Sequence, residues 1–397
     1  MTAAESGGDE AFAITAQQAV ADSGSVAHAA GATTNNAPRP GSAGRVAAID
    51  ALRGFDMFWI IGGATIFGSL ADVWPGPLTF GLRRELEHVS WEGCHFYDLI
   101  YPLFLFLIGT VLPFSLNRRQ AQGESLARQY LHFLKRSVVL IVLGSIPGGL
   151  LTFTKWPYLG GVLAHIGLCY LPAAILVRHA GWRTRGVVVG SWLVGYWLAC
   201  LLIPVPGFGA GVFTREGSLP SWIDHHFISG DLWNESPSSI PSGVMIILCG
   251  SLAGEWLRSG RSGNQKAGGL ALAGLAGVVL GWVWSLSFPM IKRVVWSSSY
   301  VSFVCGWSLL LLALSYWVID VKGYRRWTFF FVVIGMNAIT IYFLQTIVNF
   351  KDIARLFVGG LEHHAGAFAP LVLPLGVLAL KWWLLWFLYQ RKAFFKL

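Results

Sequence analysis

The chain has 397 residues, of which 54% are hydrophobic and only 12% charged, with a mean hydropathy of +0.57; water-soluble domains carry roughly 25% charged residues. That balance excludes an ordinary soluble enzyme and makes lipid the expected solvent for most of the fold. A net charge of +9 suggests nucleic acid in a soluble protein, but here the basic residues follow membrane topology, so no nucleic-acid partner is expected.

Residues 1–44 are rich in Ala, Gly, Ser, Thr and Asn and hold no apolar run of signal-peptide length. They are expected to form a disordered cytoplasmic tail, leaving the first hydrophobic helix as an uncleaved insertion signal. Residues 45–397 then form one transmembrane domain. Apolar stretches long enough to cross a ~30 Å hydrocarbon core at about 1.5 Å per residue fall near 50–71, 95–116, 132–151, 159–178, 186–204, 238–257, 268–289, 298–319, 327–350 and 370–390. The fold class expected is therefore all-α: a polytopic integral membrane helical bundle of about ten transmembrane helices.

With the N-terminus inside, twenty Lys and Arg residues face the cytoplasm and eight the other side, with Lys381 left inside the last helix. The positive-inside rule then places both termini in the cytoplasm. The nineteen Trp residues suit the headgroup level, where an indole keeps its body apolar and its N–H wet. Three longer connections, near 72–94, 205–237 and 351–369, lie outside. The second is rich in Pro and Gly (Pro204, Pro206, Gly207, Gly209, Gly211) and reads as a lid or funnel wall. No internal repeat is visible, which weakens a transporter built from inverted repeats.

Ionisable residues inside spans are costly and mark function by default. The first helix opens Asp50-Ala-Leu-Arg53-Gly-Phe-Asp56, where three-residue spacing lets Arg53 reach either carboxylate. The group is either a neutralised anchor or a hold on a substrate phosphate or acyl-carrier headgroup. The densest cluster is His88-Val-Ser-Trp91-Glu92-Gly93-Cys94-His95-Phe-Tyr97-Asp98, at the outer end of the second span. An Asp beside an imidazole fixes its tautomer and raises its basicity, as a general base requires. A solvated His and a transition-metal site are the competing readings, although neither H-x-x-x-H nor C-x-x-C spacing supports a metal. The five cysteines, Cys94, Cys169, Cys200, Cys249 and Cys305, read as packing residues. His165 and Asn337 stand in the fourth and ninth spans, where each either cross-links helices or serves a site.

Six short elements occur in order: Asp50-Ala-Leu-Arg53-Gly54; His88-x-x-Trp91-x-Gly93 with Asp98 and Pro102; Lys135-Arg136-Ser137; Gly161-Val-Leu; Phe288-Pro289 before Trp296; and Gly335-Met-Asn337-Ala-Ile-Thr-Ile-Tyr342. Together they resemble the bacterial relatives of heparan-α-glucosaminide N-acetyltransferase, in the transmembrane acyltransferase superfamily, from about residue 45 to the C-terminus. The resemblance implies a transferase that moves acetyl from cytosolic acetyl-CoA, a co-substrate, to the amine of a glucosamine-type amino sugar at the periplasmic side of the bacterial inner membrane. It places the essential histidine on His88 and the following acid on Asp98. Arg53, Lys135, Arg136 and Asn337 are assigned to acetyl-CoA, and Trp91 and Asp50 to the acceptor, with no metal. Two positions depart from the family pattern: Ile60-Ile-Gly-Gly-Ala64-Thr65 lacks an expected Asn, and His165 replaces an Arg.

A neutral amine attacks a thioester once an imidazole takes its proton; alternatively His88 attacks first and carries the acetyl group. The sequence leaves both routes open. The partners implied are acetyl-CoA, an amino sugar or glycan, the lipid bilayer and, as an assembly, a homodimer. A sugar or amino-sugar permease and an O-acyltransferase of envelope glycans are the alternative functions.

Overall fold

The structure is a computed structural model that describes residues 46–147, 150, 161–227 and 236–393. The tail expected over residues 1–44 lies outside the described residues, as do the end of the span expected at 132–151 and part of the connection 205–237. Described residues outside turns and loops are helical, with two isolated β-bridges, Glu92 to Ile291 and Val205 to Gly209.

Helix α1 (Ala47–Phe58) passes through a π-helical turn, Trp59–Gly63, into α2 (Ala64–Val73), making one span of 27 residues. Short α3 (Pro77–Glu85) leads towards α4 (Phe96–Ala121), followed by α5 (Leu126–Ser145), α6 (Val162–His179), α7 (Trp182–Leu202) and the short α8 (Leu219–Phe227). Then come α9 (Ile240–Arg258), α10 (Gly263–Trp284), α11 (Ser298–Tyr316), α12 (Phe329–Met336), α13 (Ala338–Ile347), the amphipathic α14 (Phe350–His364) and α15 (Ala369–Gln390).

Among the described residues eight helices are long and apolar enough to cross a membrane, and α12 with α13, bent by 57° at Asn337, makes a ninth if counted as one span. The protein is thus a polytopic helical membrane protein. The tenth expected span corresponds to α5, which has 20 residues but carries Arg128, Lys135 and Arg136. Those charges separate it from the apolar set.

Two contacts fix which helix ends lie together. The Asp320 carboxylate, just beyond α11, accepts the backbone N–H groups of Ala47 (3.1 Å) and Ala48 (2.9 Å). Helix N-termini present donors without intrahelical acceptors, and the helix dipole favours an anion there. At the other end of α11, the Tyr300 hydroxyl donates to the Asp98 carbonyl at 2.7 Å. The start of α1 and the start of α4 therefore lie at opposite ends of the bundle.

The central pair, α4 and α9, packs backbone to backbone. A Cβ on Gly109 would stand 1.9 Å from the Ile247 carbonyl oxygen, and one on Gly250 would stand 2.0 Å from that of Phe106. Small residues at a crossing let helices approach closely where lipid supplies no hydrophobic drive. Gly109→Val or Gly250→Val should therefore lower the thermal midpoint in detergent, with a cost of about 1–3 kcal/mol or more from overpacking. Gly68→Ala, where a Cβ meets nothing within 4 Å, should leave the midpoint within about a degree under the weak effect of open-surface changes.

Candidate functional site

The site begins with the problem of burying Asp98 in the first turn of α4, where its side chain is 0% exposed. Its Oδ2 accepts the backbone N–H of His95 (3.1 Å), just before the helix, and that of Val89 (3.3 Å). Its Oδ1 lies 2.7 Å from His88 Nδ1 and 3.3 Å from Lys292 Nζ. Both carboxylate oxygens are thereby satisfied, as a buried charge requires.

The 2.7 Å contact between imidazole nitrogen and carboxylate needs a proton between them, which assigns it to Nδ1 and directs Nε2 away from Asp98. Lys292 Nζ is also 3.1 Å from His88 Nδ1. An ammonium and an N–H are both donors, so this is convergence on one carboxylate oxygen rather than a bond between the two. The His88 side chain remains 43% exposed, and its ring packs against Tyr97 with centroids 4.9 Å apart.

Lys292 arrives on the loop between α10 and α11. Ser297 clamps that loop, its Oγ accepting Ile291 N–H at 3.0 Å and its own N–H donating to the Ile291 carbonyl at 3.1 Å. Gly93 N–H donates to the Met290 carbonyl (2.8 Å), joining the His88 loop to the Lys292 loop. Trp296 closes the turn with φ at 45°, a left-handed conformation costing about 1–3 kcal/mol. Its ring is fully buried, and Ser242 Oγ donates to its carbonyl at 3.1 Å.

His88 and Lys292 line a cavity of about 160 Å³ with Tyr97, Tyr101, Phe104 and Tyr342. A second cavity, of about 250 Å³, is lined by Arg53, Arg136, Asn337, Thr340 and Ser115. The two share Phe104 and Ile339. One face of α4 runs along both: Tyr97, Ile100, Tyr101 and Phe104 in the first, then Phe104, Ile108, Val111, Leu112 and Ser115 in the second. That is the three-and-four spacing of a single helical stripe. Arg53 on α1 lines the second cavity, and Met57 on α1 and Ile60 in the π-helical turn line the first. The two cavities thus form one column divided by Phe104 and Ile339.

Asn337, where α12 breaks into α13, is 3% exposed and neither its amide oxygen nor its nitrogen has a hydrogen-bond partner. Such a group in a cavity wall leaves donors and acceptors for a ligand. Arg136 stacks its guanidinium 4.7 Å from the centre of the Tyr170 ring, and its buried Nε is likewise without a partner.

Other residues singled out from the sequence fall elsewhere. Lys135 is exposed and outside this cavity lining, because adjacent helical residues point about 100° apart. Trp91 donates its indole N–H to the Phe213 carbonyl at 2.7 Å and packs with the cluster of Cys200, Phe288, Ile291 and Val295, anchoring the outer connection away from both cavities. Asp50 pairs with Arg53 at 3.7 Å, but Asp56 does not: its carboxyl is fully buried with no hydrogen-bond partner. His165 bridges Tyr101, 2.5 Å from Nδ1, and Ser239, 2.9 Å from Nε2. Burial raises the Cys94 thiol pKa, so it stays protonated rather than serving as a nucleophile.

Lys292 was missed in the sequence. Its signal is faint: one of two adjacent basic residues, Lys292 and Arg293, on the charge-poor side, between the apolar residues of Met290–Trp296.

No family model matches the chain. It is 26% identical over 317 residues to heparan-alpha-glucosaminide N-acetyltransferase of Homo sapiens, covering 64% of this chain and 48% of that protein. With the Mus musculus protein of the same name the identity is 27% over 318 residues, with the same coverages. The chain spans about half the length of these curated relatives. It is a distant homologue of the heparan-α-glucosaminide N-acetyltransferases.

Proposed function

We propose that the protein is a membrane acetyltransferase that takes acetyl from acetyl-CoA on the cytoplasmic side and delivers it to the amine of an amino sugar on the periplasmic side of a bacterial inner membrane. The observation that carries this reading is the divided column, with cations and an unpaired amide at one end and the His88, Asp98 and Lys292 group at the other. Both termini then lie in the cytoplasm, in keeping with the charge asymmetry of the loops.

Arg53 and Arg136 suit the phosphates of CoA, since guanidinium groups match phosphate oxygens, and the Asn337 amide suits the pantetheine amides. The thioester reaches His88 by passing Phe104 and Ile339. With Nδ1–H held by Asp98, Nε2 takes a proton from the attacking amine and returns it to the departing thiolate. The Lys292 ammonium stabilises the negative charge that develops on the carbonyl oxygen. Transfer through an acetylated His88 uses the same nitrogen. Incubating the protein with labelled acetyl-CoA in the absence of acceptor separates the routes, because only the second accumulates acetyl-enzyme.

Purified protein in detergent should release free thiol from acetyl-CoA in a glucosamine-dependent manner. His88→Ala should reduce that rate by at least about 10² while leaving gel-filtration behaviour unchanged. Wild-type protein that releases no thiol with any amino sugar defeats the enzyme reading and favours a permease.

Lys292→Met should lower kcat by about 10²–10³, the loss usual for one oxyanion donor, with little change in either KM. Loss of donor affinity instead would make Lys292 a binding residue only.

Arg136→Ala should raise the KM for acetyl-CoA by about tenfold, the equivalent of one charge-assisted bond of ~1.5 kcal/mol. Lys135→Ala, on the exposed face of α5, should change it much less. Equal effects would remove the second cavity as the donor site.

A further inference from the structure

A larger cavity, of about 610 Å³, lies outside the proposed reaction column, between the π-helical turn, α2, α13, α14 and α15. Its hydrogen-bonding lining includes Thr65, Gln345, Thr346, Asn349, Glu362 and Lys381. Ile60 belongs to its wall and to that of the His88 cavity. Chain direction puts it at the His88 end: α11 runs from Tyr300, beside Asp98, to Asp320, beside Ala47, and α12 and α13 return.

Lys381 lies well inside a span, where a charge is expensive and marks function by default. The ammonium is almost fully buried. It donates to the Ile61 carbonyl at 2.8 Å, in the π-helical turn, and to Gln345 Oε1 at 3.0 Å, and it sits 5.5 Å from the centre of the Phe350 ring. Two of its three N–H donors are thereby used, and the third remains for a ligand.

The wall mixes signs and functions. It offers one carboxylate, two side-chain amides, two hydroxyls and two ammonium groups, those of Lys351 and Lys381. An acyl chain would leave these groups desolvated and unsatisfied, and Glu362 opposes a simple anion. A sugar ring fits, because each hydroxyl both donates and accepts, and Glu362 complements an ammonium. The volume lies within the ~300–1,000 Å³ of small-molecule clefts.

We propose that this cavity is a second sugar-ring site, which holds an amino sugar one residue's thickness from the reaction cavity. The inference rests on the proposed acceptor only for its choice of probe, and its test needs no acetyl-CoA.

The test is thiol protection in the full chain in detergent. Thr346→Cys and Thr65→Cys place a thiol on facing walls at exposed positions, and wild type supplies the background from the five native cysteines. A charged methanethiosulfonate should label both new thiols. Glucosamine at ten times its dissociation constant should slow labelling about tenfold, by simple occupancy, with or without His88→Ala. If one variant fails to fold, the other gives the answer alone. Failure of the reagent to reach either thiol overturns the proposal, as does an unchanged rate with glucosamine or protection by sulfate alone. Protection in a protein that transfers no acetyl would leave this site standing while the enzyme reading falls.

Discussion

The buried carboxylate of Asp98 is the constraint around which the His88 end of the bundle is organised. An unpaired charge in that position costs several kcal/mol, and the start of α4 supplies only the N–H of its N-cap residue, His95. The remaining donors come from the loop before the helix, through Val89 and His88, and from a loop 194 residues further along, through Lys292. Neutralising one acid therefore folds two distant segments onto one helix end. The same bonds hold the His88 ring by its Nδ1 in the wall of the first cavity.

The column beneath that site depends on close helix crossings. Gly109 and Gly250 hold α4 against α9, and Gly54 lies so near α12 that a Cβ would stand 1.7 Å from the Phe331 carbonyl oxygen. These contacts position α1, α4 and the broken α12–α13 pair around the two cavities. The break at Asn337 matters as much as the crossings. Interrupted helices are tolerated at membrane depth where they line protein or a polar cavity, and here the interruption presents an unpaired amide beside Arg53 and Arg136.

Phe104 and Ile339 separate a cation-bearing cavity from the one containing the imidazole. The division keeps the Arg53 and Arg136 end apart from the His88 end, while one stripe of α4 lines both. The outer connection contributes as an anchor: Trp91, tied to the Phe213 carbonyl, joins it to the apolar cluster behind the Lys292 loop. Trp91 thus bears on the site through packing rather than through the cavity wall.

The sequence by itself determined the membrane class and the positions of nearly all the spans, because hydrophobic runs and loop charge are local properties that lipid reads directly. It also brought out His88 and Asp98, since they lie ten residues apart across one loop that leads into a helix. Their spacing carried no trace of Lys292, and it gave Lys135 and Arg136 equal standing. It took the packed fold to show that Arg136 lines the second cavity while Lys135 faces away, that Arg53 pairs with Asp50 while Asp56 stays unpaired, and that a lysine from a remote loop meets Asp98. The physical reason is the same in each case. A helix's rotation about its axis, and the partner of a buried charge, are set by packing between segments far apart in the chain, which no local pattern encodes.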